Sequence, residues 1–308
     1  MSELPAVPAA TDELKELCAL DGAGWLAAAG ESAASWRARA GVARAAFRDW
    51  EGRLENGENL EFAPGVCAGR AERIPPAELG AATAFTAARY GFAAPEGLGF
   101  YLSRGIGFFC GGCAFFDPEK NTRFFLLNAA FRHREKYLGL YSRSEIVTHE
   151  LCHMARAPLA DAEFEEYFAY QCSPSRLRRY LGNCFVRPLD AFLFVLPALL
   201  LAASRLVSCF TGFGLPGWVW WAAELPALAG AGWLLWRNQR ARNRVAAAAA
   251  NLRAAGVAMP EAVLFRCTAA EIHALAALPG PGDCRAFAAA RAAAEPRWRV
   301  ITARFFAN

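Results

Sequence analysis

Ser142-Arg143-Ser144-Glu145-Ile146-Val147-Thr148-His149-Glu150-Leu151-Cys152-His153-Met154-Ala155-Arg156-Ala157-Pro158 is the stretch on which the fold turns. A serine followed three residues later by glutamate is the pattern in which side chains satisfy the first orphan amides of a helix. Apolar residues then recur at helical spacing, and Pro158 disfavours helical backbone just before it, so the helix is expected to end at about Ala157. His149 and His153 stand four residues apart, which places their imidazoles one turn above each other, able to share a metal ion. Glu150, beside the first imidazole, projects to where a water on that metal would sit. Zinc lowers the pKa of such a water to about 7, and a carboxylate there can pass its proton to a leaving amine. The chain has only four histidines, so two in one motif do not reflect a histidine-rich composition.

Asp161 is expected to cap a second helix that passes through Glu166 and Ala169 and ends before Pro174. Its first turn offers three carboxylates, Glu163, Glu165 and Glu166. Such an acidic run ordinarily suits the helix dipole and faces solvent. The apolar residues that follow, Tyr167-Phe168-Ala169-Tyr170, are expected to draw one carboxylate inward. Glu166 is taken as the third ligand, with Glu163 and Glu165 open as alternatives.

Residues 141–172 resemble the gluzincins, zinc peptidases with HExxH and a glutamate on a following helix. They are most similar to the membrane-associated HtpX and CAAX-protease branch, whose distal motif is Glu-aromatic-x-Ala-Asp. Glu166-Tyr167-Phe168-Ala169 matches that motif, and Tyr170 stands where the family has aspartate. The interval from His153 to Glu166 is short for the family. The resemblance implies a zincin-like fold, a zinc ion held by His149, His153 and Glu166, and Glu150 as general base in peptide hydrolysis.

Upstream, alanine-rich helices are expected around residues 14–20 and 35–54, then a loop at 56–69. Pro75-Pro76 opens a helix that runs to Tyr90, with Gly91 as its stop. Short aromatic runs follow: Gly99-Phe100-Tyr101-Leu102, Ile106-Gly107-Phe108-Phe109, Ala114-Phe115-Phe116 and Arg123-Phe124-Phe125-Leu126-Leu127. Gly111-Gly112 and Asp117-Pro118 read as turns between them, giving a small antiparallel sheet. Residues 123–128 are expected at its edge, where an extended peptide substrate could add. Cys110-Gly111-Gly112-Cys113 has no second CxxC to complete a zinc knuckle and reads as two thiols flanking a turn.

Residues 191–236 are almost uncharged, too long for one span of about 20 residues and right for two, with 211–217 as the turn. Arg176, Arg178, Arg179 and Arg187 precede this block, and Arg237, Arg240, Arg242 and Arg244 follow it. The turn carries no charge, so both ends are expected in the cytosol. Trp218, Trp220, Trp221, Trp233 and Trp236 fit aromatic belts at the two interfaces. Arg205 and Glu224 lie about ten residues either side of the turn, at equal depth, where opposite charges can pair.

The expected class is α+β, mostly helical. It comprises a helical region (1–70), a zincin-like metallopeptidase domain (71–187), a transmembrane hairpin (188–236) and a cytosolic helical tail (237–308) that contains a capping box at Thr268 and Glu271. A net charge of +4 with arginines gathered beside the apolar block argues against nucleic acid as a partner. No signal peptide is visible at the N-terminus, and the ten scattered cysteines read as thiols in a reducing compartment. The expected activity is a membrane-anchored zinc metalloendopeptidase acting on peptide or protein substrates. The alternative is a catalytically silent membrane sensor or scaffold with a structural zinc.

Overall fold

Thr11 and Ser32 each accept a hydrogen bond from an amide three residues on, and so start α1 (Asp12–Gly22) and α2 (Ala33–Glu55). The computed structural model describes residues 11–63, 66–93, 98–102, 111–117, 122–137, 139, 141–211 and 217–306 of the 308. After α2, strands β1 (Leu60–Ala63) and β2 (Val66–Ala68) pair antiparallel. A single turn at Pro76–Glu78 leads into α3 (Leu79–Tyr90), which ends as expected at Gly91 with a left-handed φ of 68°.

Three strands follow, β3 (Leu98–Leu102), β4 (Gly112–Asp117) and β5 (Thr122–Asn128), in the order β3-β5-β4. Here the sheet departs from expectation. β4 and β5 are antiparallel, but β3 runs parallel to β5, so the sheet is mixed. Alternating side chains specify which face a residue takes and say nothing of strand direction, which the connections set. The short β4–β5 link forces a hairpin, whereas the longer link after β3 leaves it free to lie beyond β5. Residues 123–128 are therefore the central strand, not an edge. The expected strand at 106–109, Cys110 and the turn after Asp117 lie outside the described residues.

The period-two alternation is used on both faces. Phe100, Leu102, Phe124 and Leu126 pack with Leu17, Trp25, Trp36 and Phe47 on one side. Tyr101, Phe125 and Leu127 pack on the other with Leu79 and Ala82 of α3 and with Ile146, Val147, Leu151 and Met154. Those last four belong to α4 (Arg143–Arg156), entered through the two-residue strands β6 (Lys136–Tyr137) and β7 (Tyr141–Ser142). Gly112 is not in a turn but opens β4. A Cβ there would fall 2.7 Å from Ile146 Cγ2 and Leu127 Cδ2, so glycine lets α4 close onto the sheet.

Beyond α4 come α5 (Glu165–Tyr170), α6 (Arg176–Leu181), α7 (Pro188–Thr211) and α8 (Gly217–Ala254). The tail holds α9 (Pro260–Phe265), α10 (Ala269–Ala277), α11 (Pro281–Ala294) and α12 (Pro296–Phe305). Two compact units result, residues 1–161 with 245–308, and residues 162–244. In the first, the tail joins the beginning of the chain. Arg266 Nε donates to both oxygens of buried Asp21 at 2.9 Å, and Phe265 stacks on Tyr90 at 4.2 Å. The capping box at Thr268 and Glu271 forms, and Glu271 also accepts from Arg297 and Trp298.

In the second unit Arg205 Nη2 donates to Glu224 Oε1 at 2.7 Å, the pairing anticipated from equal depth. A Cβ on Gly230 would lie 3.0 Å from the Leu193 carbonyl oxygen, so α7 and α8 run antiparallel in close contact. Among the described residues, the stretch 189–210 of α7 is the one helix long and apolar enough to cross a membrane. The second apolar stretch is part of the 38-residue α8, which contains Glu224 and continues into the arginines from Arg237. The expected turn lies outside the described residues at 212–216.

Candidate metal centre

α4 starts where the sequence places its start, with Ser142 Oγ accepting from the Glu145 amide at 3.3 Å. The helix rests on the sheet along its apolar face and is buried for most of its length. Two buried arginines close its far end. Arg123 of β5 donates to the Met154 carbonyl at 2.7 Å, satisfying an acceptor that the helix end leaves open. Burial pushes the Arg123 guanidinium down to about 9, with neighbouring Arg39 adding to the effect and Glu31 opposing it. Arg156, fully buried, donates to Asp161 Oδ2 at 3.0 Å and to the Phe265 carbonyl, and lies over the Phe265 ring.

Asp161 therefore does not cap the next helix as expected. Arg156 takes its carboxylate, and the chain instead turns through Ala160 in the left-handed region (φ 48°) and starts α5 only at Glu165. α5 is a short helix, six residues long, which carries Glu166 in its first turn.

On α4 the imidazoles meet as their spacing requires. The Nε2 atoms of His149 and His153 are 3.0 Å apart, and the ring planes are inclined by 76°. Two zinc–nitrogen bonds of about 2.05 Å at a tetrahedral angle need about 3.3 Å between nitrogens, so the pair is within a few tenths of an ångström of that spacing. Ligand atoms of His149, His153 and Glu166 all lie within 4.8 Å of one another, a group that can hold a metal ion. Glu150 is 3% exposed and His149 9%, while His153 and Glu166 are half-buried.

The three carboxylates considered as third ligand separate clearly. Glu163 is engaged by Arg244 at 3.0 Å, and Glu166 alone of the three joins the imidazoles. α5 is also held through its own residue next to Glu166, Tyr167, whose ring lies 5.6 Å beneath the Arg242 guanidinium. The sequence reading had missed Arg123 and Arg156. An arginine inside an aromatic strand and one at the end of an apolar helix were the available signals. Tyr101 adds a further support at the start of α4, its hydroxyl donating to Glu78 at 2.5 Å while Glu78 pairs with Arg143. Burial, followed by that hydrogen bond, pushes the Tyr101 phenol up to about 12.

No family model, curated protein or solved structure matches this chain. Its function must be read from the residues themselves.

Proposed function

We propose that this chain is a membrane-anchored zinc metalloendopeptidase whose catalytic domain faces the cytosol. The observation that carries the reading is the meeting of both HExxH imidazoles with Glu166, on a buried helix that also bears Glu150. Two imidazoles and one carboxylate with a further position open are the donor set of catalytic zinc, and they are what the gluzincin resemblance implies. When bound, zinc would supply a Lewis acid that polarises the peptide carbonyl and acidifies water. His149, His153 and Glu166 would hold the ion. Glu150 takes the proton of the attacking water and returns it to the leaving nitrogen.

Metal analysis of the purified full chain tests this reading. Wild type is expected to carry about one zinc, and His149→Ala with His153→Ala to carry none. Glu166→Ala is expected to lower zinc affinity, whereas Glu163→Ala leaves it unchanged. Glu150→Gln should keep the zinc while cleavage of a casein-like substrate falls by about 10²–10⁴. Cleavage unaffected by Glu150→Gln would overturn the catalytic role. Zinc bound to a wild type that cleaves nothing would favour the structural-zinc scaffold.

The membrane reading is supported by continuity. The first unit is assembled from both ends of the chain, joined by buried contacts such as Asp21–Arg266. A bilayer cannot divide such a body, so a membrane segment between its halves must cross an even number of times. α7 with the apolar half of α8 gives two crossings, and the Arg205–Glu224 pair lowers the cost of two charges in the hydrocarbon. The arginines at the open end favour the cytosol for both termini. Reporters fused before Glu3 and after Asn308 should both score cytosolic, and a tag at 212–216 external. Termini on opposite sides would overturn the hairpin.

A further inference from the structure

The second unit has a strongly cationic end. Eight arginines gather there (176, 178, 179, 187, 237, 240, 242 and 244), and no acidic residue occurs in 171–189 or 237–254. Two carboxylates meet this charge from outside those stretches or at their border. Asp190 is held by Arg237 at 2.6 Å and Glu163 by Arg244 at 3.0 Å. Three more guanidiniums are turned onto the protein. Arg178 donates to Ser173 Oγ, Arg179 to the Ser173 carbonyl, and Arg242 to the Arg179 carbonyl.

Arg176, Arg187 and Arg240 remain. All three are exposed, and none has an ion-pair partner among the described residues. Arg240 lies over the exposed ring of Trp236, 5.4 Å from its centroid. Near them in sequence, Leu177 (65% exposed) and Phe185 (47%) are exposed large apolar side chains ahead of the apolar surface of α7. Exposed cationic and apolar groups thus occur together at the open end of the helix pair.

We infer that this collar binds the headgroups of anionic phospholipids in the leaflet next to the folded domain, an inference that rests on the membrane reading above. A guanidinium presents a planar fork that matches phosphate oxygens. A zwitterionic lipid brings its own cation to each phosphate, whereas an anionic one leaves net charge for the three unneutralised arginines to meet. The apolar neighbours decide between lipid and free phosphate. Leu177 and Phe185 have no use to a soluble ion, but at the acyl boundary their burial adds to the electrostatic attraction.

Native mass spectrometry of the detergent-solubilised full chain, with phosphatidylglycerol and phosphatidylcholine at equal amounts, tests the inference. Wild type is expected to retain phosphatidylglycerol about tenfold over phosphatidylcholine. Arg176→Gln with Arg187→Gln and Arg240→Gln should bring the two lipids near parity, while the exposed tail variant Arg299→Gln keeps the preference. Equal retention by wild type, or an undiminished preference in the triple variant, would overturn the collar. So would displacement of the lipid by millimolar inorganic phosphate. Washing membranes at alkaline pH keeps the two readings apart. Release of wild type would sink the hairpin, whereas the triple variant is expected to stay embedded and lose only its lipid selectivity.

Discussion

α4 and α7 are both helices that the sequence marks clearly, and they end in opposite surroundings. α4 carries seven ionisable side chains, Cys152 included, yet eleven of its fourteen residues are buried. α7 carries only Asp190 and Arg205 as charges, yet Phe192, Leu196, Leu199 and Phe210 all face outward. In α4 the cost of burying polar groups is met one by one, by Arg156 on Asp161, by Arg123 on the helix end and by the imidazole pair. In α7 the apolar surface stays exposed even with α8 alongside it, which suits a solvent other than water. Apolarity therefore indicates which solvent an element prefers, while burial in protein depends on whether its polar groups find partners.

The comparison can be broken most severely at Arg156. Arg156→Ala should cost about 3–5 kcal/mol in denaturant unfolding of the full chain in detergent, because Asp161 is left buried without its cation. A cost below about 1 kcal/mol would mean that α4 does not depend on paired charges. Next, Leu151→Ala should cost about 2–5 kcal/mol through the cavity it leaves in the sheet-facing core. Leu199→Ala on α7 should stay within about 0.5 kcal/mol in the same assay. Equal costs would show that α7 is packed in protein after all.

Within the helix pair, Arg205→Leu and Glu224→Leu should each impair membrane insertion more than the double change does, with a coupling of about 1 kcal/mol. Neutral single changes would mean that the charges are independent. The smallest effect concerns pH. The Tyr101 phenol is raised in the folded state from 10.0 to about 12, so its contribution is complete below pH 10 and declines as pH rises toward 12. Tyr101→Phe should flatten the fall in stability between those values, and an unchanged slope would assign it to other groups.

The centre was legible because its elements are local. A serine–glutamate start, two histidines four apart and a proline stop specify α4 and the side on which its imidazoles meet without reference to the rest of the chain. Glu166 stood out for a related reason, since the apolar residues after it, of which Phe168 and Ala169 are buried, distinguish it from a solvated acidic run. What failed was long-range or competitive. Asp161 suits a helix cap, but Arg156 offers a charged partner in a buried setting, which outweighs exposed amides. β5 read as an edge because a strand's own residues do not disclose how many neighbours it will have. Gly112 read as a turn residue because a lone sequence cannot reveal that Ile146 will press against its backbone.

The joining of the chain's two ends in one body bears on its birth at the ribosome. Arg266 reaches Asp21 across 245 residues, and Arg156 reaches the Phe265 carbonyl across 109. At roughly 5–20 residues per second, the first of these partners waits about 10–50 s for the second to be made. In that interval Asp21 and Tyr90 lack the groups that cover them, and the far end of α4 lacks one of its anchors. α7 and the start of α8 leave the ribosome before that anchor arrives. Synthesis of the apolar helices thus precedes completion of the first unit, and the nascent N-terminal half is the stage at which a chaperone would be needed.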